Sequence, residues 1–468
     1  MKFVPGSLPR TLLTTSIAIA CGTAQATNGM NMEGYGPIAT AMGGASMAYD
    51  NGTAAMMNNP ATLGLMDEGD RLDLFAGLLG PDVDARVGNM TAESDGTAYA
   101  GPAGGWVRKN NGITLGVGIY GQGGMGTEYA GDTFLGDPAM TGARLENLSE
   151  LSVGRVILPL AWQANDRLSI GGSFDFVWAG LDLKMAMNAA QFNALATGQS
   201  GSLSGSMLAA LPPAVFSNLE YAYYDFSNGS DFTGEAQAYG YAGKLGFTYQ
   251  VNQRLSVGAT YHSKTLLNDM QTDNATVNMS VAGMGVIPVS GEITIEDFQW
   301  PATWAVGMQF QATPSFTLVA DVKQLLWEDV MDAFTMTFKA DQTQASPGAA
   351  GIAGTSLTSS LYQRWEDQTV YQIGGAWRAT PALTLRAGYN YAKNPVPDEF
   401  LNALFPAIVE QHLTAGFGYH FDDARSIDFS LVKGLEKSAT NPGNGTTIPA
   451  VESNHGQLNF QFIYTHRF

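Results

Sequence analysis

Along most of the chain, apolar and polar positions alternate between short polar pairs. Asn165-Asp166 precedes RLSIGGSFDF, Asn252-Gln253 precedes RLSVGATYH, and Thr313-Pro314 precedes SFTLVADVK. Thr380-Pro381 then precedes ALTLRAGYNY, and Asp422-Asp423 precedes ARSIDFSLV. In 383–392, Leu383, Leu385, Ala387, Tyr389 and Tyr391 share one face, while Thr384, Arg386, Gly388 and Asn390 share the other. In 255–264, Leu255, Val257, Ala259 and Tyr261 oppose Ser256, Gly258, Thr260, His262 and Lys264. Period-two alternation over such lengths belongs to strands with one face toward lipid and the other toward a polar lumen. A β-sandwich would also alternate, over shorter strands. The segments predict about fourteen strands, near 71–80, 98–109, 112–122, 150–164, 167–184, 236–250, 254–268, 301–312, 315–329, 366–379, 381–393, 411–421, 425–437 and 456–468. Long segments separate the hairpins at 185–235, 269–299, 330–365, 394–410 and 438–454. Short turns at one end and long loops at the other are the layout of an outer-membrane barrel, with the short turns periplasmic. The stretch 275–298 reads either as a hairpin within a loop or as a strand extension.

The two ends of the chain narrow this reading. In the last segment Leu458, Phe460, Phe462, Tyr464 and Phe468 fall on one face, with His466 its polar member. A closing strand with an aromatic last residue is what the outer-membrane insertion machinery recognises. At the other end Lys2 and Arg10 precede an apolar run from Leu12 to Ala20, and Ala24-Gln25-Ala26 is a small-x-small cleavage pattern. Residues 1–26 are therefore expected to be a secretory signal, with Thr27 first in the mature chain. The single cysteine, Cys21, falls in the removed piece and is a poor match to a lipoprotein site, so the mature chain would hold no disulfide or thiolate.

Composition agrees with a barrel. Charged residues are 14% of the chain, against 56 Gly, 18 Tyr and 23 Phe. The mean hydropathy of −0.03 is what outward apolar and inward polar residues average to. Removing two cations from 23 leaves 21 against 42 acids, a net charge of −21 that disfavours nucleic acid. No long apolar run follows the signal, which excludes transmembrane helices. An exported membrane chain must then close its sheet, because lipid cannot satisfy free backbone groups. The expected fold is all-β: a transmembrane antiparallel β-barrel in the outer membrane of a Gram-negative bacterium, among lipid and lipopolysaccharide, as a monomer.

Ahead of the first strand lies GYGPIATAMGGASMAYDNGTAAMMNNPATLGL, residues 34–65, too weakly alternating for a strand and too glycine-broken for a long helix. It resembles the N-terminal hatch of FadL-type long-chain fatty acid transporters. The matching residues are Gly43, Gly44, Ala45, Asp50, Asn59, Pro60 and Ala61. DFQWPATWAVGMQF, the stretch Asp321–Trp327, and LRAGYNYAKNPVPDEF are similar to the later strands of that family, so the likeness spans nearly the whole mature chain. It implies a hatch at 27–66 plugging a barrel at 67–468. It also implies long-chain fatty acid or hydrocarbon ligands that land on the outer loops, enter an internal pocket, and leave sideways at a kinked third strand. Asn59-Pro60 would form a fixed turn, since Asn bonds nearby backbone and Pro fixes φ.

Gly116, Gly118, Gly121, Gly123, Gly124 and Gly126 crowd the expected third strand. They match G-x-G-x-x-G twice, but dinucleotide binding also needs a βαβ unit. A bulge or kink that opens the wall near Gly121–Gly126 is the functional reading; a flexible loop is the other. The apolar stretches at 186–196, 206–216 and 399–409 form either a landing site for hydrophobic ligands or loop packing over the mouth. Strand parity turns Lys244, Lys264, Lys323 and Arg386 into the lumen with Asp175, Asp321 and Asp428, as structural ion pairs or as partners of a ligand carboxylate. Lys184 and Arg364 are further candidates. There is no G-x-S-x-G, and His262, His412, His420, His455 and His466 lack H-E-x-x-H spacing. No enzyme, cofactor or metal is expected. The rival function is a general diffusion porin for small polar solutes.

Overall fold

In a computed structural model that describes residues 28–229 and 233–468, one antiparallel sheet of 23 strands holds most of the chain. The expected signal peptide, Thr27 and Cys21 lie outside the described residues. The pairings close on themselves. From Gly69–Val87 they run through Tyr99–Asn110, Ile113–Tyr129, Asn147–Gln163, Leu168–Asn188, Ala236–Asn252 and Leu255–His262. They continue through Thr303–Thr313, Phe316–Leu325, Gln368–Arg378, Leu383–Ala392, Gln411–His420, Arg425–Asn441 and Val451–Arg467. The last of these pairs with the first from Arg71↔Arg467 to Arg86↔Glu452, which closes the barrel. Alternating residues on this wall are exposed and apolar, among them Leu160, Phe174, Leu245, Trp304 and Leu413. No described helix is long and apolar enough to cross a membrane.

The sheet is larger than the count of about fourteen strands, because segments read as loops carry strands of their own. Beyond Leu181, the strand Leu168–Asn188 changes partner from Ala236–Asn252 to Leu219–Phe226. From there an extension passes through Ala275–Val281, Gly285–Glu296, Ala333–Ala340 and Ser356–Tyr362 to Gly201–Ser204. The ambiguous stretch 275–298 is thus a hairpin within this extension.

The short turns have a local cause. Asn165 Oδ1 accepts the amides of Arg167 and Leu168 at 2.9 and 3.0 Å, and Asn252 Oδ1 those of Arg254 and Leu255 at 2.8 and 3.0 Å. Asp422 repeats the pattern with Ala424 and Arg425. Each side chain stands in for a backbone acceptor and reverses the chain within two residues.

Residues 28–66 form no barrel strand, and most of them are buried. They touch strands on all sides of the circuit. Gly43 N donates to Thr414 Oγ1, and Ser46 and Met47 donate their amides to Asp321 Oδ2 at 2.5 and 3.1 Å. Thr53 N donates to Asp73 at 2.7 Å, and Asp50 pairs with Arg71 at 3.0 Å. Gly43 and Gly44 have φ of 73° and 87°, and an added Cβ on Gly44 would strike the carbonyl of Glu33. Glycine is required there on both counts. Asn59 caps the 3-10 turn Pro60–Leu65 through Ala61 N at 3.1 Å, with Pro60 at its first position. Its Nδ2 also donates to the carbonyls of Met47 and, on the wall, Phe247. Asn59→Ala removes all of these contacts and is expected to destabilise the folded barrel by about 1–3 kcal/mol. A lower temperature for loss of the compact, SDS-resistant form would show it.

A candidate path for hydrophobic ligands

At the long-loop end a cavity of about 350 Å³ opens between Met185 and Met187 of the wall, the helix Ala189–Ala196 and residues 399–404. The helix begins in a reciprocal cap. Asn188 Oδ1 accepts the Gln191 amide, and Gln191 Oε1 accepts the Asn188 amide, both at 2.9 Å. This leaves Phe192 and Leu195 on the buried side. Two of the three apolar loop stretches singled out above, 186–196 and 399–409, therefore meet at this cavity. The third, 206–216, contributes Met207 and Val215 to the adjoining apolar core. Among the described residues, Glu399 is the only charged one lining the cavity. Its volume and lining suit a small, mainly apolar ligand. On its rim Arg364, at φ 45°, lies 4.7 Å over the Tyr362 ring and 5.1 Å over that of Phe400, both of which line the cavity.

From the cavity an apolar core continues inward through Leu401 and Leu404 to Trp300, Trp327, Trp365 and Met30. The three indoles stack edge to face at 5.6 and 5.2 Å, the geometry their quadrupoles favour. Below them the chemistry changes. Trp300 Nε1 reaches Asn31 Oδ1 at 3.4 Å, and that oxygen also accepts from Gln122 Nε2 at 2.9 Å and from the Tyr35 hydroxyl at 3.0 Å. The same hydroxyl lies 2.6 Å from the Gln122 carbonyl.

Gln122 sits where the wall comes apart. Tyr99–Asn110 and Ile113–Tyr129 pair from Asn110↔Ile113 up to Gly104↔Ile119 and no further. Beyond that point each keeps its other neighbour but not this one, until Ser94 bridges Tyr129. Against Asn147–Gln163 the register shifts between Gly121 and Gly123, a bulge that frees Gln122 from the ladder. On the opposite lip stands Pro102, which has no N–H to offer a neighbouring strand. A cavity of about 40 Å³ occupies the opening, lined by Phe75, Gly101, Pro102 and Gly121 of the wall and by Met32 and Tyr35 behind it.

The six glycines do different things. Gly121 borders the opening. Gly116 and Gly118 lie in the paired part, where added Cβ atoms would strike the Trp106 carbonyl and Met56 Sδ. Gly123 bridges Asn31, and Gly124 N donates to the Met30 carbonyl at 3.1 Å. Gly126 stays in register with Glu150. Sequence reading missed the second lip, residues 99–103, although a proline inside an alternating segment was an available signal. It also missed Asn31, Tyr35 and Gln122, which carry no signal outside their fold.

Five of the six candidate cations are engaged elsewhere or lie outside the cavities described. Lys244 and Arg155 both pair with Asp175, and all three are buried. Arg386 pairs with Asp428 at 2.7 Å, and Lys184 with Glu146 at 2.8 Å. Lys323 is buried on the strand face of Asp321. Lys264 corrects its expectation: its strand ends at His262, so parity no longer applies, and the side chain is exposed rather than lumenal. Only Arg364 reaches a cavity rim. His262 holds the N-terminal segment, its Nε2 lying 2.9 Å from the Asn58 carbonyl, while the neighbouring Ser263 hydroxyl accepts the Gly243 amide.

Comparison with known proteins gives this geometry a context. Residues 11–462 match the family described as outer membrane protein transport protein (OMPP1/FadL/TodX). The toluene transporter TodX of Pseudomonas putida is 30% identical with a TM-score of 0.81, over 93% of this chain and 99% of that one. The toluene transporter TbuX of Ralstonia pickettii is 32% identical with a TM-score of 0.75, over 93% of this chain and 99% of that one. A 47 kDa outer membrane protein of Pasteurella multocida is 24% identical over 236 residues, 49% of this chain; the chain spans about half of that curated relative, 52% of its length. The chain belongs to the outer membrane protein transport protein family, the FadL- and TodX-type outer-membrane β-barrel channels for hydrophobic compounds.

Proposed function

We propose that the protein takes an uncharged hydrophobic compound, of the size of a substituted benzene, from the outside into the outer membrane. The observation that carries this is the loop cavity, apolar through Met185, Met187, Leu195, Leu401 and Leu404 and, among the described residues, charged only at Glu399. TodX and TbuX, the similar channels, are toluene transporters. Residues 28–66 act as a hatch that blocks a straight aqueous path, supported by their burial and their bonds all round the wall. The ligand leaves through the opening beside Gly121. Passing sideways into the bilayer avoids returning each CH₂ to water, about 0.8 kcal/mol apiece. A large, steady open-channel conductance in planar bilayers would overturn the hatch and favour a porin.

One observation favours a second reading, long-chain fatty acid uptake: Arg364 stands on the cavity rim, where a carboxylate would find a cation. Calorimetric titration of the purified barrel with toluene and with a fatty acid separates the two. Arg364→Ala is expected to leave toluene affinity unchanged. A fatty-acid affinity that falls about tenfold in this variant, roughly 1.4 kcal/mol, would establish the second reading. Toluene failing to bind the wild-type protein would overturn the first.

A further inference from the structure

Between the apolar core below the loops and the opening in the wall stands a small, fully buried polar cluster. Asn31 Oδ1 is its centre, receiving Gln122 Nε2 at 2.9 Å, the Tyr35 hydroxyl at 3.0 Å and Trp300 Nε1 at 3.4 Å. One side of it is the tryptophan core: Trp300 packs with Trp327 and Met30. The other side is the opening, since Tyr35 and Gly121 line its cavity. The direct way from core to opening leads through this cluster, which touches both. Within an otherwise apolar route, hydrogen-bonded groups resist being parted, because each buried polar atom left without its partner is costly.

We propose that Gln122 is the latch of the lateral exit, a positioning residue that holds the unpaired part of the third wall strand against the N-terminal segment and sets the rate of release. The assignment rests on the lateral-exit reading above. Three features fit it. Gln122 is the bulged residue itself, outside the ladder on both sides. Its neighbours Gly121 and Gly123 allow the backbone to swing without a Cβ to strike. Its partners Asn31 and Tyr35 lie on the N-terminal segment, so the strand and that segment part together. Met30 is joined to the same strand, accepting from Gly124 N at 3.1 Å, and it lies in the core a ligand would disturb. A ligand entering beside Trp300 and Met30 thus loosens the latch that keeps it in.

The test is uptake of labelled toluene by intact cells, with toluene affinity of the purified barrel measured in parallel. Gln122→Leu keeps the bulk and removes the amide. It is expected to raise the maximal uptake rate about threefold to tenfold, the worth of a lost hydrogen-bonded clamp, with half-saturation and equilibrium affinity unchanged. Tyr35→Phe, a milder change that removes one hydroxyl, should move the rate in the same direction by less. Because the chain has no cysteine beyond Cys21, Asn31→Cys with Gln122→Cys can be joined by a short bifunctional thiol reagent. Joining them should stop uptake and leave binding intact, which a merely structural residue would not do. An unchanged or lower rate in both Gln122→Leu and Tyr35→Phe would overturn the latch. So would full uptake by the joined protein. A bulky residue at Gly101 distinguishes the two levels: if it blocks uptake while the latch variants do nothing, the exit stands and the latch falls. If it does not block, the exit itself falls.

Discussion

Gly101→Trp is expected to cut uptake of the hydrophobic ligand by more than about tenfold, while the barrel assembles normally and the loop cavity binds as before. Gly101 lines the wall opening, and a Cβ placed there meets nothing within 4 Å, so the backbone accepts a side chain without strain. The cavity there is about 40 Å³, little more than the roughly 30 Å³ share of one water molecule, and an indole is several times larger. Gly123 is a worse choice on the opposite lip, because a side chain there would collide with the Met30 carbonyl and confuse blockage with misfolding. Uptake by whole cells, alongside heat-modifiable migration of the purified protein, reads the two effects separately. Undiminished uptake in a well-folded Gly101→Trp would send the ligand past the N-terminal segment instead, and the lateral exit would have to be given up.

Asp175→Ala should be the most destabilising single change in the lumen. Asp175 is fully buried and is shared by two buried cations, Arg155 at 2.9 Å and Lys244, with the Ser173 hydroxyl donating to its other oxygen at 2.6 Å. Removing the carboxylate leaves two like charges together without a counter-ion. Breaking a buried pair in this way costs about 3–5 kcal/mol, and here both orphaned charges are cations. Denaturant unfolding in detergent should show a midpoint lowered accordingly. Replacing all three charges together, Arg155→Met with Asp175→Leu and Lys244→Met, should recover much of the loss, since apolar substitutes of similar volume often match a buried ion pair. A single Asp175→Ala variant as stable as the wild type would mean that water reaches this cluster and that it is not sealed by the N-terminal segment.

The wall and its turns were legible in the amino-acid order because their causes are local. Period-two alternation sorted Leu385 to the lipid face and Arg386 to the lumen. Asn165, Asn252 and Asp422 reverse the chain through bonds to amides two and three residues ahead. Asn59 could be read as a turn residue for the same reason. Two apolar loop stretches were visible as such, but not that they face each other across one cavity, which depends on contacts between residues some 200 positions apart. The glycine density of 116–126 marked one lip of the opening. The other lip at Pro102 and the latch at Asn31, Tyr35 and Gln122 exist only where the N-terminal segment meets the wall. Parity turned Lys244 and Arg386 inward, but it could not show their partners there: Asp175 on the neighbouring strand for Lys244, and Asp428 two strands away for Arg386. Lys264 failed because parity lasts only as long as the register, and the register slips by one residue between His262↔Lys244 and Leu266↔Tyr241. Periodicity and turn chemistry act within a few residues and so are written in the order of the chain. Pairing, burial and the closing of cavities are properties of residues brought together from far apart, and they arise when the barrel closes.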